Sequence, residues 1–228
     1  IPTLGGECLE QTLAKLNGGS QVPDEVLVCV PEGEEMKANV DAFKNVRVVR
    51  TEERGQVAQR ARGFREAVGE FVLQLDDDVT VDESCLKVLV ESIEAAGEDI
   101  ALAPFFLDPA TGNPLHRAEW RGFFRRVNLF LMNGRRGYQP GTVTLSGHSF
   151  GPEDNDAEPN FKEVEWLSGG CVLHRRTNLF TENYFPFAGK AYCEDLIHSF
   201  HLRERGVRLG VCRRAKCYTE GGGDWGSL

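Results

Sequence analysis

The sequence Gly-Glu-Phe-Val-Leu-Gln-Leu-Asp-Asp-Asp occupies residues 69–78 and joins an apolar run to three consecutive carboxylates. The apolar residues predict a buried strand over 71–75. Unpaired charges cannot be buried in a core, so Asp76, Asp77 and Asp78 must face water or a cation. In an open α/β sheet, ligands bind beyond the carboxyl ends of the strands, where such oxygens suit Mg²⁺ or Mn²⁺. The alternative is an acidic turn that caps the next helix.

The composition describes an acidic globular chain. Its 228 residues are 41% hydrophobic, which gives room for one substantial core. The net charge of −9 and the pI near 5.2 argue against a nucleic-acid partner, because such proteins usually show a basic footprint. An acidic enzyme still binds a phosphorylated substrate when a metal supplies the positive charge.

The cysteines indicate a reducing compartment. There are seven, an odd number, and no Cys-x-x-Cys pair, which argues against a structural zinc site. There is no visible secretory signal and no apolar run of the ~18 residues that would span a membrane. These features predict a cytoplasmic protein, with a place at the inner face of a membrane as the alternative. The abrupt start at Ile1 is compatible with a fragment of a longer chain.

The first half of the chain alternates strand and helix signals. Strands are predicted at 1–4, 25–30, 46–49, 71–75 and 100–106, and helices at 7–16, 57–68 and 83–96. Strands separated by helices of about ten residues imply βαβ units. We therefore expect an α/β fold with a mostly parallel, Rossmann-like sheet flanked by helices.

The second half has a different character, because residues 108–163 are polar, rich in glycine and proline, and without a clear period. Its predicted elements are a helix at 123–132, a strand at 142–145, a strand-like stretch at 164–174, a helix at 194–205 and a strand at 207–211. A single domain over 1–228 is the simplest account. Its 1–107 half would bind a nucleotide, and its 108–228 half would bind a second substrate.

Arginines surround the apolar helix predicted at 123–132. They are Arg117, Arg121, Arg125, Arg126, Arg135 and Arg136. A solvated face is the simpler interpretation. The sharper hypothesis is an amphipathic patch that contacts anionic lipid or a lipid-diphosphate acceptor.

Five segments share their order and residue types with one known family. They are 1–3 (Ile-Pro-Thr), 55–63 (Gly-Gln-Val-Ala-Gln-Arg-Ala-Arg-Gly), 69–78, 166–176 (Trp-Leu-Ser-Gly-Gly-Cys-Val-Leu-His-Arg-Arg) and 194–206, which opens with Glu-Asp. Together they make the chain resemble the family 2 glycosyltransferases of the GT-A fold over nearly its whole length. Each segment alone is a weak signal, and their shared order is the strong one.

The resemblance implies a nucleoside-diphosphate sugar as donor, with a UDP-sugar expected first. Asp76 would approach the nucleoside and, with Asp78, hold Mn²⁺ or Mg²⁺. Asp77 is also assigned to the donor site, although on the alternating side of an extended chain it would point away from the ion. A cation stabilises the charge that a departing diphosphate gains. The family's late histidine ligand is replaced here by Thr219, so Asp78, the diphosphate and water would supply most of the ion's ligands.

Three more residues are assigned to the donor by the resemblance. Thr3 would contact the base, and Glu32 would stand in for the family's usual acidic residues there, the first of which is replaced by Pro31. Arg60 would lie near the donor or pair with Asp76. Its alternative is an exposed helix charge, because other arginines occupy the same predicted helix.

Asp195 is the predicted general base, with Glu194 as the fallback. It would take the proton of an acceptor hydroxyl as the oxygen attacks the anomeric carbon, which predicts inversion. The alternative is that both acids complement the positive end of a helix dipole.

The acceptor is expected near Trp166, Gly169 and Gly170. Glycines inside a strand indicate a bulge or a close backbone approach, across which a substrate could lie. Trp166 could stack on a sugar ring or belong to the core.

The sequence thus predicts an inverting, metal-assisted glycosyltransferase that acts on a glycan or lipid-linked acceptor. A degenerate domain that binds a sugar nucleotide or glycan without turnover is the alternative outside enzymes, favoured by Pro31 and Thr219. A nucleotidyltransferase is the alternative enzyme, although residues 4–7 lack the basic residue that its phosphate loop would need.

Overall fold

The structure is a computed structural model that describes residues 1–97, 99–115, 123–153, 161–187 and 191–219. The helices are α1 (Cys8–Asn17), α2 (Gln56–Glu66), α3 (Cys85–Ala96), α4 (Phe123–Asn133) and α5 (Glu194–Glu204). The strands are β1 (Val26–Pro31), β2 (Val46–Thr51), β3 (Phe71–Leu75), β4 (Thr80–Val81), β5 (Ile100–Leu107), β6 (Lys162–Glu163), β7 (Cys171–Arg175) and β8 (Arg208–Tyr218). Short 3₁₀ turns occupy Val40–Ala42, Gly134–Arg136 and Arg176–Asn178.

The sheet is mixed. Its order is β3-β7-β5-β8-β4, with β6 also paired to β8, while β1 and β2 form a separate parallel pair. β3, β5 and β8 share one direction, as a parallel sheet requires, and β7 lies antiparallel between β3 and β5. The expectation of parallel pairing is therefore wrong for β7, which pairs antiparallel with both of its neighbours. That strand comes from the irregular half of the chain, and local periodicity does not indicate which neighbours a strand will choose.

Helices cover both sheets, and this cover accounts for the complete burial of their two most apolar strands. Every residue of β1 and β5 is buried, which is typical of strands that are packed on both faces. α2 packs against β1 and β2, α3 packs against β5 and β8, and α5 packs against β8. The main core joins Leu9 and Leu13 of α1 to Leu89 and Ile93 of α3 across Leu102 of β5.

Three predicted boundaries in the second half change. Residues 142–145 form only an isolated bridge between Val143 and Ser149 rather than a strand. The strand-like stretch at 164–174 becomes regular only at Cys171, after the two glycines. The last strand runs on to Tyr218, past a register shift between Pro104 and Phe105 of β5.

The carboxyl end of β3 is tied to its surroundings by backbone contacts. Asp76 N donates to Gly170 O at 2.9 Å, which fixes the chain where β3 ends. Pro2 bridges Cys29 of β1 in parallel, so Thr3 reaches the same rim. The register that pairs Thr80 with Tyr218 carries the following residue, Thr219, towards Asp78. Residues far apart in sequence therefore meet at one edge.

We expect Leu102→Ala to lower the free energy of unfolding by about 2–5 kcal/mol, because this fully buried side chain leaves a cavity between α3 and the sheet. Chemical denaturation measures the loss. Leu145→Ala is the matched control, since that leucine is 70% exposed and should change stability by less than about 0.5 kcal/mol. Equal losses in the two variants would contradict the placement of the core.

Candidate active site

Arg60 is the buried centre of the site. Its side chain, only 4% exposed, extends from α2 and donates through Nη2 to Asp76 Oδ1 at 2.7 Å. Through Nη1 it donates to Glu194 Oε1 at the start of α5. The alternative that Arg60 is an exposed helix charge is therefore wrong, and its predicted pairing with Asp76 is present.

The electrostatics of Arg60 depend on its two partners. Burial alone would lower the pKa of the guanidinium, but the charges of Asp76 and Glu194 outweigh burial and raise it. Arg60 Nη2 also donates to Gly169 O at 3.2 Å, which binds the loop before β7 into the same cluster. The cation is permanent, and it offsets the negative charge of the two carboxylates beside it.

Asp76 is held from two sides. Arg60 binds its Oδ1, and Gln56 Nε2 donates to its Oδ2 at 3.2 Å. The side chain is still 20% exposed, so its remaining lone pairs face the rim of the sheet. A metal ion on Asp76 would compete with Arg60, whereas a ribose hydroxyl could donate to the oriented carboxylate without displacing it.

The polar groups of Thr3 are all hydrogen-bonded to other residues of the chain. Its hydroxyl donates to Asp77 Oδ2 and accepts from Gly5 N at 2.9 Å. Its backbone N–H donates to Cys29 O at 3.0 Å, and its carbonyl accepts from Gln59 Nε2 at 2.7 Å. These partners within the protein use every polar group of Thr3, so it anchors Asp77. A contact between Thr3 and the donor stays a prediction that this geometry does not favour.

Asp77 lies in the turn after β3 and contacts the N-terminal segment and α1. Its main-chain carbonyl accepts from Thr12 of α1 at 2.8 Å, and its carboxylate takes the Thr3 hydroxyl. Burial raises the pKa of Asp77, and the neighbouring Asp78 and Asp76 raise it further. The crowding of three acids stores repulsion that a bound cation would relieve.

Asp78 is the exposed member of the triplet, and its role as a metal ligand stays a prediction. Among the described residues, no group of three His, Cys, Asp or Glu side chains is arranged to hold a metal ion. The chain therefore offers a partial shell of hard oxygen ligands, which fits Mn²⁺ or Mg²⁺ only if substrate phosphate and water complete it.

Glu194 is fully engaged. Its Oε1 accepts from Arg60, and its Oε2 accepts the Tyr184 hydroxyl at 2.8 Å. A Cβ on Gly169 would lie 2.7 Å from Glu194 Oε1, so only glycine lets α5 approach this closely. Glu194 thus links Arg60 to the aromatic segment before α5, and its role as the fallback base stays a prediction.

Asp195 has a carboxylate whose pKa is raised by its surroundings. Its Oδ1 accepts from Leu196 N at 2.9 Å, and no other side chain in the described part of the molecule bonds to it. Burial, followed by the charge of Glu194, raises the pKa of Asp195 to about 6. Position at a helix N-terminus favours the anion, so here desolvation outweighs the dipole. Such a carboxylate suits a general base near neutral pH.

The backbone before α5 aims these two acids. Cys193, which precedes Glu194, has φ of 60°, and it is the one non-glycine residue in the left-handed region within the described ranges. Such conformations cost about 1–3 kcal/mol and persist where the surroundings over-determine them. Because the turn is sharp, Glu194 points to Arg60 while Asp195 emerges beside Gly169.

The predicted acceptor residues are packed by the protein itself. Arg60 and Glu194 approach Gly169, and the side chains of Phe106 and Val79 approach Gly170 at 3.3 Å from the position of a Cβ. Trp166 is 7% exposed, and its indole N–H donates to Phe150 O at 2.9 Å. The close approach to the backbone that the glycines predicted is present, but the groups that approach belong to the Arg60 cluster, α5 and the core. A role for these residues in holding an acceptor stays a prediction.

Sequence reasoning missed Tyr184 and its support. The Tyr184 ring stacks on His198 at 5.4 Å with 11° between the planes, and His198 lies 5.4 Å from His174. Burial lowers the pKa of His174 to about 3, so it is neutral. His198, on α5, is buried as well. In the sequence, only the Glu-Asp motif at 194–195 indicated that this region holds interacting side chains. Glu32, by contrast, is exposed just after β1, apart from this cluster.

Residues 6–151, more than half of the chain, match the family model of glycosyl transferase family 2. The chain belongs to glycosyl transferase family 2. The match ends before α5, so the Glu194–Asp195 pair rests on the structure and on sequence resemblance alone. Comparison with curated protein sequences found no match.

Solved structures show the same fold as this family 2 chain. The crystal structure of GalNAc-T7 with UDP, GalNAc and Mn²⁺ aligns with a TM-score of 0.63 and 16% identity, over 95% of this chain and 42% of that one. S. aureus TarS 1–349 in complex with UDP-GlcNAc aligns with a TM-score of 0.59 and 18% identity, over 100% of this chain and 59% of that one. At these identities the likeness establishes the fold, and the expected GT-A class is confirmed. The chain spans about half the length of these structures.

We expect Arg60→Ala to lower the free energy of unfolding by about 3–5 kcal/mol, because it leaves two carboxylates without their buried partner. Arg62→Ala is the matched control. Arg62 lies on the same helix but is exposed and pairs only with Glu66, so its loss should cost less than about 1 kcal/mol. Denaturant titration measures both, and a small loss in Arg60→Ala would contradict the central role of this cation.

Proposed function

We propose that this chain transfers a sugar from a nucleoside-diphosphate sugar, a UDP-sugar first, to a hydroxyl acceptor with inversion at the anomeric carbon. The observation that carries the proposal is a carboxylate with a pKa raised to about 6, Asp195, beside the Arg60 cluster that orients Asp76. Family membership supports the donor class. The compounds bound in the similar structures, UDP with Mn²⁺ in one and UDP-GlcNAc in the other, support the nucleotide.

The chemical step assigned to Asp195 is a proton transfer. Its carboxylate accepts the proton of the acceptor hydroxyl as that oxygen forms a bond to the anomeric carbon. The bond from the same carbon to the diphosphate breaks with its electron pair, and the diphosphate departs from the opposite face. One base and one displacement invert the configuration. Asp195 is preferred to Glu194 for this step, because the two oxygens of Glu194 already accept hydrogen bonds from Arg60 and Tyr184.

The donor side is assigned to the end of β3. Asp76, fixed by Arg60 and Gln56, would accept from the ribose, and the exposed Glu32 would contact the base. Asp78, with Asp76 as an alternative ligand, would hold Mn²⁺ or Mg²⁺. When bound, such an ion supplies positive charge to the leaving diphosphate.

The acceptor is assigned to the second half of the chain, because the 108–228 half supplies α5 and the Gly169 loop. A glycan or a lipid-linked acceptor is the proposed acceptor, and the cytoplasm is the proposed location, which the free cysteines of the described residues support. Thr219, where a histidine ligand would complete a metal shell, is the observation that favours the alternative, a domain that binds sugar nucleotides without turnover.

Asp195→Asn should keep donor binding and lose at least about 10²-fold in turnover, because the amide cannot accept the proton. UDP release from a panel of UDP-sugars with Mn²⁺ measures turnover, and calorimetry measures donor binding. The exposed Asp41→Asn is the matched control. Full activity in Asp195→Asn would contradict the base, whereas donor binding without any turnover in the unmodified chain would establish the non-catalytic alternative.

The pH profile should show the same carboxylate. Because the pKa of Asp195 is raised to about 6, lowering the pH through 6 protonates the base, so kcat/KM should fall tenfold per pH unit below it. Initial rates from pH 4.5 to 8 measure the profile. A profile that stays flat to pH 4.5 would show that the rate does not depend on this group.

Asp78→Ala should remove most of the gain in donor affinity that Mn²⁺ provides, by about tenfold or more, because Asp78 is the exposed ligand of the proposed ion. Calorimetric titration of a UDP-sugar with and without Mn²⁺ measures the gain, with Asp41→Ala as control. If the unmodified chain binds the donor equally well without a cation, the metal assignment fails while the base assignment stands.

A further inference from the structure

Helix α4 carries its largest apolar side chains on the solvent side. Phe124 is 86% exposed and Leu131 75% exposed, and Phe123, Val127 and Phe130 are exposed as well. A surface helix of a globular protein normally turns its apolar stripe towards the core. α4 does the reverse, and burying these side chains would be strongly favourable.

The spacing shows that the exposed apolar residues form one face. Phe124, Val127 and Leu131 follow each other at three and four residues, so they lie along one side of the helix. Leu129 and Asn133, also four residues apart, are buried against the protein. The helix is therefore held by one narrow side and presents a separate aromatic side outward.

The turn after α4 extends this face with charge. Asn133 Nδ2 donates to Gly137 O at 2.7 Å and fixes the turn that carries the exposed Arg135 and Arg136. Leu145, itself exposed, donates through its backbone N–H to Asn133 Oδ1 at 3.3 Å and lies beside the end of the helix. Apolar and cationic groups therefore adjoin in a fixed arrangement.

The local charge opposes that of the whole chain. Residues 123–151 contain four arginines and no aspartate or glutamate, although the net charge is −9. Arg126, on α4, is exposed with the two arginines of the turn. Arg117, Arg121 and the side chain of Arg125 lie outside the described residues. A cationic zone next to exposed aromatic rings complements a surface that is apolar within and anionic at its boundary.

We propose that this basic aromatic surface, formed by Phe123, Phe124, Phe130, Leu131, Arg135 and Arg136, docks the protein on an anionic lipid membrane. α4 has 11 residues, about 16 Å of helix, which is too short to cross a bilayer. No helix among the described residues is long and apolar enough to span one. The helix lies in the interface, with its rings among the acyl chains and its arginines at the headgroups.

The proposal goes beyond the transfer reaction and does not depend on it, because it concerns binding to lipid without any donor. The competing occupant is a second copy of the chain, since aromatic residues and arginine are also enriched in protein interfaces. The charge pattern decides between them. Two copies of this surface would bring the exposed Arg126, Arg135 and Arg136 of each copy close to those of the other, whereas an anionic bilayer neutralises them.

Co-sedimentation with vesicles tests the docking. The unmodified chain should bind vesicles of phosphatidylglycerol and phosphatidylcholine, bind pure phosphatidylcholine at least about tenfold more weakly, and lose affinity between 0.1 and 0.5 M salt. Absence of binding to the anionic vesicles would overturn the proposal, as would equal binding to both kinds.

Two double variants separate the two contributions. Phe124→Ser with Leu131→Ser removes exposed apolar groups, and Arg135→Glu with Arg136→Glu reverses charge. Each should lower anionic-vesicle binding about tenfold or more. Val68→Ser is the apolar control, since Val68 is 74% exposed elsewhere, and Lys15→Glu with Lys44→Glu is the control for charge.

The controls and the oligomeric state complete the test. If the control variants lose as much binding as the surface variants, attraction is general and the assigned surface is wrong. Light scattering of the free chain gives the second readout. A dimer that Phe124→Ser with Leu131→Ser converts to a monomer would assign the surface to a second copy and overturn membrane docking.

Discussion

A single buried cation organises the site. Arg60 reaches Asp76, 16 residues away at the end of β3, and Glu194, 134 residues away at the start of α5. A guanidinium can satisfy two carboxylates and a carbonyl at once because its donors form a rigid planar fork. Burial of the three charged groups is tolerable only while all are present. The glycine at 169 is the steric condition for this arrangement, since any Cβ there would meet Glu194.

This constraint gives two adjacent acids different chemistry. Glu194 accepts hydrogen bonds from Arg60 and from the hydroxyl of Tyr184. It therefore connects the aromatic segment before α5 to the cation that also binds Asp76. Asp195 is buried beside that anion, and its pKa rises to about 6. Pairs of titratable groups whose surroundings push their pKa values apart are the usual basis for separate roles. Consecutive residues of a helix point about 100° apart, so Glu194 and Asp195 at the start of α5 meet different surroundings.

The acidic rim and the basic aromatic surface of α4 use charge in opposite ways. At the rim, Asp77 and its neighbours crowd like charges where β3 ends, a cost that only a bound cation or a local anchor such as Thr3 reduces. On α4, arginines stand next to exposed phenylalanines without any acid in the same stretch. Neither arrangement improves the stability of the isolated chain, and both become favourable when a partner of complementary chemistry binds.

The sequence alone determined the α/β class, most of the helices, the strand at 71–75 and the acids at its end, because periodicity and charge are local properties. Family resemblance offered the pairing of Arg60 with Asp76 as one of several possibilities, and the structure selects it. It could not place β7 between β3 and β5, or tell that Thr3 anchors Asp77 and that Glu194 is held by Tyr184. Those facts arise from contacts between distant segments, where packing and desolvation choose the partner. Only the tertiary structure shows that the pKa of Asp195 is raised, because burial and the nearby charge of Glu194 act on it in the fold.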